Sequence, residues 1–557
     1  MSMKRNPSFL RTTTAVFLLT SLFTLNSCRD ELDKSPLSSY VNETFWTSEN
    51  NAMLALAGVY RGSIQMTAAP TTGAEFSATD WWSYHGLIML DVATDNAYDR
   101  RGDNSGINQL TNGNLVATNS YLGNYWKASY DRIARCNYFM ENVSKTPVAE
   151  AKLKRLLAEA RFIRATQFFY LSQTFGAVPL VKTTLTLEAA NSVSKTPKAE
   201  VLKFATDELI ASAVDLPRDK DIPAAERGRA SKQAALAFLG RAQLATNAFA
   251  DAAATYKTIV EFGDNAIDPN YASLFNGTNE GSKELIFATQ YLKDQAPNAM
   301  AQHFFPAVNG GWHLFNPLGS LVESYEFTDG TVFSYTDARY NPKDPTTNRD
   351  PRLRANILFN QQMFQNILYV THPDSTKSAD QLTTTKQATR TGYGLKKFNW
   401  EGLTGDLQNS GVDLPIIRYA EVLLSYLEAR MESGAVDQAL LDQTINAVRG
   451  RSSVGLPKIT ETDPAKLRVI LRRERRNELA FEGIRLWDLQ RWKIAADVLK
   501  GDFYGAPFPN SKNLRKKNAT TTDPVGRWYV TSKAFRAGID ETWPIPQTEV
   551  NINPNLK

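Results

Sequence analysis

The sequence has 557 residues, of which 63 are Lys or Arg and 58 are Asp or Glu, giving a formal net charge of +5. Nucleic-acid binders usually concentrate a basic excess on one face, because Lys and Arg neutralise phosphates, so this balance ranks nucleic-acid binding low. With 42% hydrophobic and 22% charged residues, the composition is that of a globular protein large enough for more than one lobe.

The first 27 residues have the pattern of a secretory signal peptide. Three basic residues, Lys4, Arg5 and Arg11, precede an uncharged segment whose apolar core, residues 15–25, is much shorter than the roughly 20 residues of a bilayer-spanning helix. The string LNSC, which ends at Cys28, has the form of a bacterial lipobox. We therefore predict a lipoprotein signal peptide at 1–27 and lipidation of Cys28, which would anchor the protein without spanning the membrane. The alternative is an ordinary signal peptide and an incidental cysteine.

Removal of this segment leaves an almost neutral chain. Residues 1–27 contain Lys4, Arg5 and Arg11 and no acid, so 60 basic and 58 acidic residues remain. Once Cys28 is lipidated, Cys136 is the other cysteine of the sequence, so we expect no intramolecular disulfide. No later stretch approaches about 18 uncharged apolar residues, so we predict no further membrane segment.

Apolar residues at helical spacing predict helices at residues 50–60 and 149–175. Gly176 and Pro179 follow the second of these, as expected at the end of a helix. Residues 91–119 lie between the two helices and are rich in Asn, Asp and Gly without any periodicity. We expect them to form a long surface loop.

Residues 231–263 match the spacing of a tetratricopeptide repeat. Leu239 and Gly240 are followed by Ala252 and Tyr256 at the expected positions, although the terminal proline of the repeat is absent. The small residues would let two helices approach closely, and the large ones would fill the groove between them. Residues 418–451 are also predicted to be helical but match the spacing less well.

Residues 265–415 contain Pro, Gly, Asn, Thr and aromatic residues with little helical period. We therefore predict a mainly α fold, in which tetratricopeptide-like helical pairs pack against a loop-rich variable lobe with a few short strands. The helical scaffold is expected at about 40–263 and 414–500, and the variable lobe at about 265–413.

The common catalytic and cofactor motifs HExxH, CxxC, GxSxG, GxGxxG and Walker A are missing from the sequence. The four histidines lack metal-ligand spacing, so we expect no metal or other cofactor. A structural Ca²⁺ ion stays open, with no EF-hand loop to support it. A helical glycoside hydrolase would need two carboxylates about 5 to 10 Å apart. Nothing in the sequence selects a pair among the candidates Asp80, Asp95, Glu323 and Glu326.

The string RRERRNELAFEGIRLWDLQRW, residues 472–492, looks at first like a basic nucleic-acid helix. Its acidic residues lie beside its arginines or one turn away, which predicts ion pairs within the segment. We interpret the segment as a structural charged network beneath a helix junction at Gly483.

The same string and four others occur in the order in which one known family has them. The four others are NRDPRLR at 348–354, TGYGLKKF at 391–398, LPIIRYAEVLLSYLEAR at 414–430 and WPIPQTEVNINPNL at 543–556. In these blocks, taken with the lipobox that ends at Cys28, the sequence resembles the SusD/RagB family of Bacteroidetes outer-membrane nutrient-binding lipoproteins. Together they span almost the whole chain after the signal peptide.

The resemblance implies one SusD-like domain at 28–557 that is not an enzyme. It implies a lipoprotein that captures a glycan, or in some members a peptide, and acts as a lid on a SusC-like TonB-dependent transporter. The acidic Asp30, Glu31 and Asp33 behind Cys28 resemble the family's surface-export signal. They would place the protein on the outer face of the outer membrane, attached through lipid alone.

Sugar binding without catalysis requires aromatic faces that pack against the C–H side of pyranose rings, bordered by polar side chains. The richest local cluster is TDWWSYHG and the polar stretch after it, and related members complete their site with aromatics of the central lobe. We therefore predict a ligand site made of Trp81, Trp82, Tyr84, Asp95, Asn96, Tyr98, Arg100, Arg101, Tyr291 and Trp312. Trp82 and Trp312 are the strongest candidates, because polar or glycine residues flank them. Each aromatic has a core position as its alternative.

Three other functions stay open at this point. A peptide-binding member of the same family would share the framework and differ in its site. A helical glycoside hydrolase would cleave the bound glycan. A tetratricopeptide scaffold that binds only proteins would explain the helices but leave the aromatic cluster without a role.

Overall fold

The computed structural model describes residues 45–62, 75, 78–382, 387–521 and 523–557. The predicted signal peptide, Cys28 and the acidic residues behind it lie outside this part of the chain. No helix among the described residues is both long and apolar enough to cross a membrane.

The described helices, in chain order, are α1 Glu49–Arg61, α2 Tyr84–Met89, α3 Gly106–Gln109, α4 Ser120–Asn142, α5 Glu150–Phe175, α6 Leu187–Ala190, α7 Lys198–Asp215, α8 Lys232–Ala245, α9 Phe249–Phe262, α10 Met300–Phe304, α11 Gly319–Ser324, α12 Pro351–Asn356, α13 Tyr419–Ser433, α14 Gln438–Gln443, α15 Ile445–Arg449, α16 Pro464–Glu478, α17 Arg485–Arg491, α18 Ala495–Val498 and α19 Gln547–Ile552. The described strands are β1 Ala97–Asp99, β2 Leu285–Thr289, β3 Phe315–Pro317, β4 Ile357–Leu358, β5 Gln362–Phe364, β6 Ile367–Tyr369, β7 Gly394–Leu395, β8 Leu414–Arg418, β9 Lys500–Pro507 and β10 Arg527–Ala534.

The longer helices pack side by side in one series. α4 packs on α5, α5 on α7, α7 on α8, α8 on α9, α9 on α13 and α13 on α16. The helices predicted at 50–60 and 149–175 are confirmed as α1 and α5, and the predicted helical region at 418–451 contains α13, α14 and α15. The architecture is therefore mainly α, with tetratricopeptide-like helical pairs.

Short elements fill the chain between β2 and β8. These two strands pair antiparallel, Leu285 with Arg418 and Thr289 with Leu414, so the segment leaves and returns at one ladder. The segment has a small apolar cluster of its own, separate from the main core and formed by Ala301, Phe305, Leu358, Phe364, Tyr369 and Leu403. A loop-rich lobe with short strands is thus observed, while its exact limits as a domain stay a prediction.

The α8–α9 pair depends on one glycine. A Cβ atom on Gly240 would lie 2.3 Å from Cζ of Tyr256, so the tyrosine ring packs directly on the helix backbone. Both residues are buried in the core. The tetratricopeptide spacing that relates Gly240 to Tyr256 is therefore confirmed as a contact.

Residues 91–119 are not the surface loop that their composition predicts. Residues 91–99 are all buried, and the stretch contains β1 and α3. The side chain of Asn108 shows how such a polar segment can be buried. Its Nδ2 donates to the carbonyls of Asp99 and Gly102 at 3.1 and 2.8 Å, and its Oδ1 accepts from the Asp99 N–H at 3.1 Å. The amide side chain thus makes the hydrogen bonds that these backbone groups would otherwise make to another stretch of backbone.

Buried ion pairs join the lobe to the C-terminal helices. Glu478, at the end of α16, accepts hydrogen bonds from Arg352, Arg418 and Arg451 at 2.8, 3.1 and 2.6 Å. These three arginines come from α12, β8 and the chain after α15, and all four side chains are at most 4% exposed. Burial alone would raise the pKa of Glu478, but the three arginine charges hold it well below its usual range.

The segment 472–492 therefore has the predicted structural role but a different pairing. Glu474, Glu478 and Glu482 bind arginines outside the segment. Asp488 binds Arg475 within it at 3.1 Å, and Arg485 binds Asp95 at 2.9 Å. In the described part of this segment, one ion pair joins residues a single helical turn apart, Arg491 and Asp488 at 2.7 Å. α16 ends at Glu478 and α17 begins at Arg485, and Gly483 lies between them with a φ of +70°, so the predicted junction is confirmed.

We expect Gly240→Ala to lower the free energy of unfolding by about 1–3 kcal/mol, because the new methyl group would displace the Tyr256 ring. Urea unfolding followed by circular dichroism measures the change. Gly123→Ala is the matched control, since it also lies within a helix and a Cβ there meets nothing within 4 Å. That control should be neutral or stabilising by up to about 1 kcal/mol. Equal stability of the two variants would contradict the packing account.

We expect Glu478→Gln to destabilise the protein by about 3–5 kcal/mol, because three buried arginines lose their shared carboxylate. The fold depresses the pKa of Glu478 below its ordinary value of 4.5, so the Glu478 carboxylate stabilises the folded state fully above pH 4.5. This stabilisation is lost as the pH falls from 4.5 towards the pKa that Glu478 has in the folded protein. Unfolding midpoints measured between pH 7 and pH 3 should therefore fall steeply for the wild type and less for the variant. The exposed Glu150→Gln is the control, and parallel pH profiles for wild type and Glu478→Gln would contradict the prediction.

Candidate functional site

An antiparallel pairing brings two distant segments to one surface. β1 pairs with β3, and the N–H of Arg100 donates to the carbonyl of Leu314 at 2.9 Å. Arg101 follows β1, and Trp312 comes shortly before β3. The turn that carries the two arginines and the turn that carries Trp312 therefore lie at the same end of the ladder.

A tight turn displays the indole of Trp312. The N–H of Trp312 donates to the carbonyl of Gln302 at 2.7 Å. A Cβ on Gly311 would lie 2.3 Å from the carbonyl oxygen of Phe305, so this position requires glycine. His313 has a positive φ of 52° on the other side. The backbone is constrained on both sides of Trp312, and its side chain is half-buried.

A series of rings supports Trp312 from below. The Trp312 ring lies 5.1 Å from the His303 ring, His303 lies 5.4 Å from His85, and His85 stacks at 6.1 Å on Tyr121. The hydroxyl of Tyr121 accepts a hydrogen bond from Nη2 of Arg101 at 3.0 Å. The series therefore connects Trp312 to the Arg101 guanidinium.

We call Arg100, Arg101, Gln302, Trp312 and Arg390 the Trp312 surface. Nε of Arg390 donates to the backbone carbonyl of Arg100 at 3.0 Å, which brings Arg390 to the same turn. The Arg101 side chain is 43% exposed, and the other four residues are half-buried. One indole and three arginines are thus linked to the same end of the β1–β3 ladder, and the Gln302 amide donates to the carbonyl of Gly310 at 3.1 Å.

The rings beneath this surface carry no charge at neutral pH. Burial lowers the pKa of His303 to about 3 and holds the pKa of His85 well below its usual range, and the nearby Arg101 charge adds to both effects. The charge of the surface therefore comes from its arginines. In the part of the chain that the structure describes, no group of three or more His, Cys, Asp or Glu residues is placed to hold a metal ion.

Of the predicted ligand-binding residues, the structure brings Arg100, Arg101 and Trp312 together at this surface. Trp81 is a core residue instead, and its predicted contact with ligand is wrong. Its ring is fully buried, stacks on Tyr125 and Tyr170 at 4.0 and 4.9 Å, and donates from Nε1 to the hydroxyl of Ser129 at 2.8 Å.

Tyr84 and Tyr98 are also buried, at 0% and 4% exposure, so they cannot contact a ligand as predicted. The hydroxyl of Tyr84 shares a hydrogen bond of 2.8 Å with Nδ1 of His303. The hydroxyl of Tyr98 donates to Asp103 at 2.9 Å. The two tyrosines support the site from the interior.

Asp95 and Asn96 belong to the buried framework, and their predicted role as ligand contacts is wrong. Asp95 accepts two hydrogen bonds of 2.9 Å from Arg485 and pairs with Arg476, while Asn96 donates to Asp91 at 2.6 Å. Burial would raise the pKa of Asp95, but the charges of Arg476 and Arg485 hold it well below its usual range. A carboxylate held by two arginines in the core is not available to a sugar hydroxyl.

Trp82 and Tyr291 line a cavity of about 470 Å³ that Trp312 does not line. Trp82 is 2% exposed, and the guanidinium of Arg132 lies 4.8 Å from its ring centroid. The hydroxyl of Tyr291 donates to Glu75 at 2.6 Å, and burial raises the pKa of Glu75 to about 8. The structure separates these two residues from the Trp312 surface, and their role in ligand binding stays a prediction.

Gln302 and Arg390 belong to the surface but are not identified by the sequence analysis. Arg390 directly precedes the TGYGLKKF string, which is the one signal that could have located it. Gln302 lies in a short helix without any motif. Its position depends on the turn at Trp312, which only the folded chain shows.

The helical pairs and the loop-rich lobe define a mainly α protein of the tetratricopeptide-like class, and the chain belongs to the SusD family. The family model described as "SusD family" matches residues 283–557, and a second model, described as "Starch-binding associating with outer membrane", matches residues 74–244.

Individual relatives match almost the whole chain. A SusD-like carbohydrate binding protein from Bacteroides fragilis is 48% identical, with 92% of this chain and 100% of that chain covered and a TM-score of 0.88. A second SusD-like protein from Bacteroides fragilis is 24% identical, with coverage of 94% and 99% and a TM-score of 0.74, which shows a common fold. SusD-like protein P25 from Formosa agariphila is 24% identical over 578 residues, which cover 97% of this chain and 96% of that protein.

We expect Trp81→Ala to cost about 3–5 kcal/mol of unfolding free energy, because it empties a stacked, fully buried position. Trp312→Ala should change the unfolding free energy by about 1 kcal/mol or less, since the indole is half-buried and lies outside the main core. Urea unfolding monitored by far-ultraviolet circular dichroism compares the two variants. A larger loss for Trp312→Ala than for Trp81→Ala would contradict the assignment of one residue to the core and the other to the surface.

Proposed function

We propose that this chain is a cell-surface lipoprotein that binds a glycan at the Trp312 surface and delivers it to a SusC-like TonB-dependent transporter. The observation that carries the proposal is the constrained, half-buried indole of Trp312 beside Arg100, Arg101 and Arg390. Support comes also from the 48% identical SusD-like carbohydrate binding protein, whose fold this chain shares over 92% of its length.

The geometry suits recognition of a sugar ring. The electron-rich face of an indole packs against the C–H side of a pyranose, and this contact is favourable because both surfaces lose water. Guanidinium groups and the Gln302 amide supply donors that fix pairs of hydroxyls at the ring edge. An aromatic face with polar groups at its border therefore provides affinity for a sugar and fixes its orientation without catalysis.

The acidic residues nominated for hydrolysis are each bound by an arginine. Asp80 pairs with Arg132 at 2.8 Å, and Asp95 is held as described above. Glu323 pairs with Arg527 at 2.9 Å, and Glu326 pairs with Arg449 at 2.8 Å. These partners support binding without catalysis, because each carboxylate is already held in an ion pair with an arginine.

The proposed attachment to the outer membrane is supported by the leader sequence, and the proposed delivery of glycan to a transporter is supported by the family. The lipobox at Cys28 and the acidic residues after it support an outer-membrane lipoprotein that faces the exterior. Membership of the SusD family supports a transporter of the SusC type as the partner.

We expect the chain from Arg29 onward to be retarded on native gels that contain its polysaccharide, with no new reducing ends in the same lanes. Trp312→Ala should abolish the retardation, because it removes the stacking face. A desolvated aromatic contact contributes about 1–3 kcal/mol to the free energy of binding. Native electrophoresis against a panel of polysaccharides, with a reducing-end assay, measures both properties.

Trp400→Ala is the matched control, because Trp400 is also half-buried and lies in the same lobe but lines a different groove. Retention of binding in this control and loss in Trp312→Ala is the expected pattern. The opposite pattern would contradict the location of the site. New reducing ends in the retarded lanes would contradict a binding protein and favour a hydrolase.

A further inference from the structure

We infer that the cavity beside Trp82 is a second ligand site, which takes a small uncharged molecule with an apolar body and an oxygen that accepts hydrogen bonds. The cavity has a volume of about 470 Å³, which is in the usual range for small-molecule sites. Trp312 does not line it, so the site and its test are independent of the proposed function.

Apolar side chains form the inner wall of the cavity. The rings of Trp82 and Phe287 pack edge to face with their centroids 5.1 Å apart, and these residues are 2% and 4% exposed. Leu56 and Met53 of α1 line the same space, the first as part of the main core and the second packed against it. An apolar molecule that enters therefore exchanges contact with water for contact with rings and aliphatic chains.

The cavity reaches the surface at another side. Ala57, Arg227 and Gln290 also line it, and all three are exposed. They belong to α1, to the chain before α8 and to the residue after β2. A ligand can therefore enter from solvent between these elements, and the Arg227 charge stays hydrated at the opening.

The inner lining has no net charge. Arg132 is paired with Asp80 at 2.8 Å, and Nε of Arg229 donates to Glu159 at 3.0 Å. Burial raises the pKa of Glu75 to about 8, so this carboxyl is mostly uncharged at pH 7. A charged ligand would lose its hydration here without gaining a counter-charge, and this cost favours an uncharged ligand.

Two buried polar atoms of the lining have no hydrogen-bond partner among the residues that the structure describes. One is Nε of Arg132, which is fully buried, and the other is Oε1 of Glu75, which is 1% exposed. Tyr291 donates to the second oxygen of Glu75, Oε2, at 2.6 Å, so the proton of the neutral carboxyl lies on Oε1. Both atoms are therefore donors that an acceptor oxygen of a ligand would satisfy.

A sugar ring fits this cavity poorly. Each of its hydroxyl groups needs a hydrogen-bond partner once it is buried, and the side chains of Met53, Leu56 and Phe287 provide none. A ketone or an ester on an aromatic or aliphatic body needs partners for its oxygen alone. The ligand chemistry of this site therefore differs from that of the Trp312 surface.

Equilibrium dialysis of the chain from Arg29 onward, at pH 7, tests the inference with three naphthalenes of similar shape. They are 2-acetylnaphthalene, which is a ketone, 2-isopropenylnaphthalene, which is a hydrocarbon, and 2-naphthoate, which is a carboxylate. We expect the ketone to bind about fivefold more tightly than the hydrocarbon, because its oxygen satisfies a buried donor. The carboxylate should bind at least about tenfold more weakly than the ketone, because it must give up its hydration.

Ala57→Trp should weaken binding of the ketone about tenfold, because the larger side chain narrows the opening. Leu54→Trp is the matched control, since Leu54 is on the same helix, is 55% exposed and does not line the cavity. Glu75→Met should lower the preference for the ketone over the hydrocarbon to about twofold or less, because it removes one donor. Thermal unfolding of each variant confirms that it is folded.

Equal binding of the ketone, the hydrocarbon and the carboxylate, or binding of none of them, would overturn the inference. Weaker binding in Leu54→Trp than in Ala57→Trp would overturn the location of the site. An unchanged preference for the ketone in Glu75→Met would overturn the assignment of the ligand oxygen to this lining. The native gels test glycan binding at the Trp312 surface separately, so failure here leaves the proposed function standing.

Discussion

Burial of Glu478 among Arg352, Arg418 and Arg451 is the interaction on which the rest of the structure depends. A carboxylate in the core is costly unless its partners are in place, and removal of any one partner leaves uncompensated charge. The three arginines come from α12, β8 and the chain after α15, so the site forms only when the lobe and the C-terminal helices are packed together. The network thus specifies one arrangement of the whole chain, which an apolar contact of equal area would specify less strictly.

The same region sets the position of the binding surface. Arg476 and Arg485, at the end of α16 and the start of α17, hold Asp95. Asp95 lies just before β1, β1 pairs with β3, and the turns at this end of the ladder carry Arg100 and Trp312. A chain of buried charges and one short ladder therefore connects the helical scaffold to the indole. A site positioned in this way is rigid in its backbone, which reduces the entropy lost on binding.

Sequence reasoning worked where the signal is local. Helical periodicity located α1 and α5, and the spacing from Gly240 to Tyr256 located a real contact, because both depend on residues within one or two helices. The stretch 91–119 was misjudged because its polar side chains bond to one another and to arginines almost 400 residues away. The aromatic cluster around Trp81 was misjudged for the related reason that composition does not distinguish a stacked core from a ligand platform. Arg390 joins the site through tertiary pairing alone.

The central claim is that ligand binds at the Trp312 surface, and hydrogen–deuterium exchange of the Arg29–Lys557 chain with and without bound oligosaccharide tests it most directly. The account predicts slower exchange at the amides of residues 99–103, 302–314 and 389–391, and no change in the helix pair α8–α9. Slower exchange around the Trp82 cavity, with no change at residues 302–314, would contradict it.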